Sequence, residues 1–324
     1  MRHSDCEIPI NLQPDPDDYK FDLGASLNSV VGLKTYIPAD AFTATTLGTE
    51  RAGSGVVIRE DGLVATIGYL ITEAETVWLT ASDGRTIPAH ALAYDQETGF
   101  GLVQALGRIK LPALALGDSD ALRVGDRMVF AAAGGRHHAV ETNVVGKQEF
   151  AGYWEYLLEE AIFTAPAHPI WGGGALIGRD GKLVGIGSLS LQQGDGKGRR
   201  LDMNMIVPIK LLAGIMNDML TSGGVNRPAR PWLGVYATED DDAVIVGGVV
   251  DGGPAERAGL QRGDRIVAVG GEEVTDLAGL WRRVWACGRA GAEVPLTLER
   301  DPGTVAVLVK SADRSSYLKS PRLH

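Results

Sequence analysis

The chain has 324 residues, 44% hydrophobic and 22% charged, with a formal net charge of -10 and a pI near 5.1. That length suits about two domains, each able to bury its own core, and no apolar run approaches the ~20 residues of a membrane-spanning helix. The acidic balance argues against nucleic acid or an anionic membrane as the main partner, since either calls for a clustered basic surface.

Residues 1 to 27 are polar, with PDPDD near the middle, and read as a disordered or loosely docked arm. The opening MRHSDCEIPINLQPDPDDY has no apolar core of the secretory kind and carries acids where such a signal would be basic or apolar, so the chain as written reads as cytoplasmic. Cys6 and Cys287 fall far apart in sequence and in different domains, which speaks against a disulfide framework. From Ser29 onward short β-rich runs alternate with Gly and Asp-Gly turns: GSGVVI, DGLVATI, TVWLTASDGRTIPAHALA and GFGLVQAL. Short strands at this spacing predict an antiparallel barrel or sandwich over residues 28–220. LLAGIMNDML, residues 211–220, is the first amphipathic helix and closes the β-rich part; residues 221–231, TSGGVNRPARP, have linker composition. A small mixed α+β unit follows over 232–312, running WLGVYA, VIVGGVV, DRIVAVGG, a helix near LAGLWRRVWAC and VPLTLER, with a tail at 313–324.

Several of these segments carry a resemblance. GSGVVIREDGLVATIGYLI, SDGRTIPAHALAYDQETGFGLVQA, LGDSDALRVGDRMVFAAAG and IWGGGALIGRDGKLVGI are similar, in order, to segments of an HtrA/Deg-type trypsin-like protease domain, and MNMIVPIKLLAGIM to its helical exit. WLGV and GGPAERAGLQRGDRIVAVGGEEV, with the helix after them, resemble the PDZ domain that follows in that family. The likeness spans roughly residues 29–310. It implies two six-stranded antiparallel barrels with a site in the cleft between them, then a PDZ domain.

That family's chemistry needs a serine hydroxyl, a histidine to take its proton and an aspartate to orient the imidazole. By the resemblance the histidine position falls on Tyr69, the aspartate position on Gly99 and the nucleophile position on Gly172, in PIWGGGAL. A phenol, with a reference pKa near ~10, is a poor base at neutral pH, and neither glycine carries a functional atom. Asp95 and Glu97 precede Gly99 in a turn whose ordinary reading is solvated. His168 precedes Gly172 but has no hydroxyl or thiol to activate. His137 and His138 are adjacent, and on a strand they would face opposite ways. His90 reads as packing or capping in the strand after TIP. The reading calls for no cofactor and no metal. Ile170 and Trp171 stand where the family has small residues beside its oxyanion hole, which is expected to be distorted or plugged; Gly173 and Gly174 have an ordinary role in a tight turn.

In a PDZ fold an extended peptide adds as a strand to a sheet edge, and its terminal carboxylate sits among backbone N–H groups of the preceding loop. By the resemblance that loop is Pro231, Trp232, Leu233, Gly234 and Val235. Leu280 and Val284, on a helix with Leu277 and Trp281 at i, i+3, i+4, i+7 spacing, form the groove's other wall or the core beneath it.

Three readings follow. The first is a non-catalytic pseudoprotease that binds peptide C-termini or extended protein segments through its PDZ domain and degenerate cleft, as a scaffold. The second is a hydrolase with a site rebuilt from Asp95, Glu97 or His168. The third is a structural subunit of a larger complex. The resemblance implies trimers built through aromatic residues near the domain start, the region of Tyr19, Phe21 and Tyr36, and a periplasmic location if the N-terminus is processed or replaced. Trp78, Trp154 and Trp171 are candidate contact anchors, and WEYLLEE, residues 154–160, reads as a short helix packed over the cleft, with no counterpart in the family pattern.

Overall fold

A computed structural model describes residues 7–194, 200–240, 243–301 and 303–319. The chain divides into two compact units: the first is Met1–Gln148 with Glu160–Val225 and Lys319–His324, the second Glu149–Glu159 with Asn226–Leu318.

In the first unit a short helix α1 (Leu23–Asn28), capped by the Asp22 carboxylate, leads into β1 (Val30–Tyr36); after the turn α2 (Ala44–Leu47) come β2 (Glu50–Val57), β3 (Leu63–Ile67), β4 (Thr76–Thr80), β5 (Thr86–Tyr94) and β6 (Phe100–Ala105). These close into an antiparallel barrel in the order β1-β2-β3-β6-β5-β4. Alternation explains it: in β5 every second residue, Ile87, Ala89, Ala91 and Ala93, is buried while its neighbours are not. A second closed barrel, β10-β11-β12-β9-β8-β7, is made of β7 (Arg127–Ala131), β8 (Ala139–Gly152), β9 (Tyr156–Ala165), β10 (Ala175–Ile177), β11 (Leu183–Gly194) and β12 (Arg200–Pro208). Helix α3 (Ile209–Ser222) ends the unit, with Gly223 as its left-handed cap.

The described part of the arm is packed rather than loose. Ile8 is buried with Met128, Phe130 and Leu176 and donates its N–H to the His137 carbonyl, while Arg127 pairs with Asp18 and lies over the Tyr19 ring. Four apolar side chains among the polar ones, Ile8, Leu12, Leu23 and Leu27, are enough to seat it. Cys6 lies outside the described residues.

The second unit holds one antiparallel sheet, β13-β14-β15-β17-β18, from β13 (Val235–Asp240), β14 (Ala243–Val249), β15 (Arg265–Val269), β17 (Glu293–Arg300) and β18 (Gly303–Lys310), with the short β16 (Glu272–Glu273) paired to β15. Two helices pack with it, α4 (Pro254–Arg257) and α5 (Leu277–Ala286), the latter capped by Asp276. Leu280, Trp281 and Val284 of α5 are fully buried with Leu233, Val235, Val244 and Val294. This is a mainly β chain, a trypsin-like double barrel with a PDZ domain, as the sequence predicts. WEYLLEE is not a helix: Trp154 and Glu155 form the turn between β8 and β9, and Tyr156 begins β9. Its three acids and aromatic residues suit a helix surface and a strand equally, and strand pairing across the barrel decides between them.

Candidate functional site

The structure brings Tyr69 and Gly172 together. Tyr69 sits in the 3-10 turn Gly68–Leu70 that follows β3, and Gly172 lies in the turn before β10. A Cβ placed on Gly172 would stand 2.8 Å from the Tyr69 hydroxyl oxygen and 3.7 Å from Cζ. The phenol therefore fills the space into which any side chain at 172 would point. Its hydroxyl donates to the carbonyl of Ser188 at 2.9 Å, across 119 residues of sequence, and receives a hydrogen bond from the Trp171 side chain. Ser188 lies at the irregularity of β11 between Gly187 and Leu189, where the register with β12 shifts. Burial holds the Tyr69 pKa well above its ordinary value, outweighing the bond from Trp171, so the phenol stays neutral.

The backbone of the turn is tied into its surroundings. The Gly172 carbonyl accepts from Ser54 N at 2.8 Å, and Gly173 N–H donates to the Gly187 carbonyl at 2.9 Å. Gly173 has φ +76, and a Cβ there would run into the Ser54 carbonyl and the Thr66 hydroxyl, so only glycine fits. Ile170 N–H, on the stretch beside the expected oxyanion hole, donates to His168 Nδ1 at 2.9 Å. With Nδ1 accepting, Nε2 carries the proton, and it reaches the His138 carbonyl at 3.1 Å. His168 is completely buried, and its own N–H and carbonyl are both bonded to the Asn204 amide. Burial pushes its pKa down to about 4. Both ring nitrogens are thus spent on holding the turn, and the neutral imidazole works as a clamp.

Gly99 N–H donates to the Asp95 carbonyl and its own carbonyl accepts from Gly68 N at 2.7 Å, which ties its turn to the one bearing Tyr69. The Asp95 carboxylate caps Thr98, taking its N–H at 2.9 Å and its hydroxyl at 2.7 Å, and is buried, not solvated as the sequence suggested. Behind Tyr69, Arg51 donates to the Tyr69 and Thr72 carbonyls, and the Glu73 carboxylate takes N–H groups from Phe42, Thr43 and Lys319. His137 and His138 belong to a 3-10 turn, Gly135–His138, not a strand, and among the described residues no group of three metal-ligating side chains occurs. His90 lies on β5 opposite Gln104.

In the second unit, Leu233, Gly234 and Val235 point their N–H groups at one spot, and that spot holds the carboxylate of Glu155. Leu233 N donates to Oε2 at 3.0 Å, Gly234 N to Oε1 at 2.7 Å and Val235 N to Oε1 at 3.0 Å. Gly234, at φ +75, supplies the left-handed backbone that turns three successive amides inward. Trp232 has another place: it pairs with Ala312 through its backbone, and its ring meets Tyr317 at 4.8 Å. Leu280 and Val284 are core. Sequence reasoning missed Glu155; it placed Trp281 on the groove wall or in the core beneath it, where the residue is buried, but not the bond its Nε1 donates to the Gly152 carbonyl at 2.9 Å. The available signal was WEYLLEE itself, a segment without a counterpart in the family pattern.

Models of known families match two stretches, a trypsin-like peptidase domain at residues 53–186 and a PDZ domain at 245–300. Among curated proteins, the chain is 28% identical over 273 residues to a "Probable periplasmic serine endoprotease DegP-like" protein of Chlamydia trachomatis, covering 79% of this chain and 53% of the relative. It is 26% identical to a protein of the same description from Pseudomonas putida, over 77% of this chain and 53% of that one. The chain thus spans about half the length of these relatives. Among solved structures it is similar to an HtrA-type protease AlgW with decapeptide, TM-score 0.52 at 23% identity, covering 92% of this chain and 99% of that one. A serine endoprotease from Yersinia pestis gives TM-score 0.52 at 21% identity, covering 90% and 98%.

Proposed function

We propose that this chain, an HtrA-type protein with a trypsin-like peptidase domain followed by a PDZ domain, binds protein segments and does not cut them. One observation carries this reading: the turn that would present a nucleophile has glycine at 172, and the Tyr69 hydroxyl occupies the adjoining space at 2.8 Å. Nucleophilic catalysis needs an atom to attack and a base to take its proton. Gly172 offers no atom, and Tyr69 is a neutral phenol engaged with Ser188. His168, the nearest imidazole in sequence, has both nitrogens committed. An oxyanion hole would need free amides, and the Ile170 amide faces His168 instead. What remains is a rigid double barrel and a PDZ domain, which suits a peptide-binding scaffold. The family's oligomers suggest a homo-oligomer; Tyr36 is the exposed member of the three aromatic residues named for that contact, at 41%. Relatives described as periplasmic make that compartment the first place to look for the partner.

The test is cleavage of casein and of labelled peptides by the purified chain, together with labelling by an active-site serine probe. Neither turnover nor labelling is expected, and a Gly172→Ser, Tyr69→His, Gly99→Asp triple variant serves as comparison. Turnover by the wild type, whether or not a serine-protease inhibitor stops it, would overturn the proposal and make Asp95, Glu97 and His168 the residues to mutate next.

A further inference from the structure

A PDZ carboxylate loop with nothing bound presents its amides to solvent. Here three amides of that loop bond the carboxylate of Glu155, which is 7% exposed and held in a left-handed backbone conformation, φ 59. Two further contacts follow the course of a bound chain. The Tyr153 carbonyl accepts from Ala237 N on β13 at 2.9 Å, and the Gly152 carbonyl accepts from the buried Trp281 indole on α5. The segment is therefore fixed to a strand, to a helix and to the carboxylate loop, the three surfaces between which a peptide lies in this fold. Its turn is pre-shaped by its own aromatic residues: Trp154 stacks on Tyr156 at 5.4 Å, and a Cβ on Gly152 would press on the Trp154 ring at 2.9 Å. Arg282 of α5 pairs with Glu149 and Glu159 at the ends of the segment.

We propose that Gly152–Glu155 is an internal ligand of the PDZ groove: the Glu155 side-chain carboxylate takes the place of a peptide's terminal carboxylate, and the groove admits an external carboxylate-ended chain only when this segment is displaced. The inference rests on the binding role proposed above and deepens it, because it makes that binding competitive. A partner must offer a carboxylate to the same three amides, and its apparent affinity is reduced by the fraction of molecules in which the segment is seated.

The experiment uses the full chain. Amide exchange at Leu233, Gly234 and Val235 is followed in the wild type, Glu155→Gln and Glu155→Ala, and each protein is titrated into a fluorescein-labelled decapeptide pool with randomised last three positions, as free acid or amide. The wild type is expected to protect the three amides and bind the free-acid pool poorly. Glu155→Ala should lose that protection and bind the free acid ~10-fold or more tightly, with no gain for the amidated pool, and Glu155→Gln should lie between. Unprotected amides in the wild type, equal binding by wild type and Glu155→Ala, or a gain shared by the amidated pool would each overturn the proposal. Protected amides that Glu155→Ala releases without any gain in binding would overturn it too, by making the segment a permanent brace. None of these readouts depends on hydrolysis, so the non-catalytic reading stands or falls separately.

Discussion

Tyr69 and Gly172 form a complementary pair, and each limits what can be done to the other. Restoring a hydroxyl with Gly172→Ser puts a Cβ 2.8 Å from the tyrosine oxygen, so the phenol must move and give up its bond to Ser188. We expect this single change to lower stability by about 1–3 kcal/mol, the usual cost of overpacking with a lost buried hydrogen bond, and to produce no hydrolysis. Adding Tyr69→Phe removes the obstructing oxygen, so the two changes together should cost less than the sum of each alone, measured as a double-mutant cycle in urea. His168 makes a different prediction at the same scale. Its folded pKa, about 4, lies below its ordinary 6.5. The unfolded chain therefore binds the extra proton first as pH falls, and the stability due to the neutral clamp is present above about 6.5 and lost toward about 4. An NMR titration of the ring protons should show His168 still neutral at pH 5.5, and a value near that of a free imidazole would refute the clamp.

At the scale of elements, the β8–β9 turn behaves as a unit because three kinds of contact hold it: amides to carboxylate, strand to carbonyl, indole to carbonyl. Burial pushes Glu155 up to about 7 from an ordinary 4.5, against the pull of the Leu233, Val235 and Gly234 amides and of Arg314, the charged group that faces it. An acid whose folded pKa is raised keeps its proton where the free group has lost it. Seating of the turn is thus favoured at low pH and loses support as pH rises from about 4.5 to about 7. The difference in melting temperature between wild type and Glu155→Gln should follow that window, and a difference independent of pH would count against it. Trp281→Phe keeps the apolar packing of α5 but strands the Gly152 carbonyl, at a cost of about 1–3 kcal/mol. Much at this scale was legible in advance. Alternation in Thr86–Tyr94 announces a half-buried strand, and the spacing of Leu277, Leu280, Trp281 and Val284 announces α5. WEYLLEE was not legible, because three acids among aromatic and leucine residues satisfy a helix as well as a hairpin until a pairing partner is known.

The whole molecule has two compact units, each with its own hydrophobic core. Units of that kind tend to unfold as separate cooperative transitions. Calorimetry should then show Glu155→Ala lowering the transition of the unit that contains Trp281 and leaving the other in place, and Gly172→Ser doing the reverse. A single transition moved equally by both changes would refute that independence.

Strand alternation was enough to read an antiparallel barrel or sandwich followed by a small α+β unit, because it expresses which face of each strand must be buried; the double barrel and the PDZ domain were legible only through the resemblance of the ordered motifs to a known family. They also showed that position 172 has no nucleophilic atom, since glycine lacks one in any fold. What stands in the vacant space was decided by tertiary structure alone. Tyr69 meets Ser188 across 119 residues and Glu155 meets Leu233, Gly234 and Val235 across 78 to 80. Such meetings depend on barrel closure and strand register, and no local pattern of side chains encodes them.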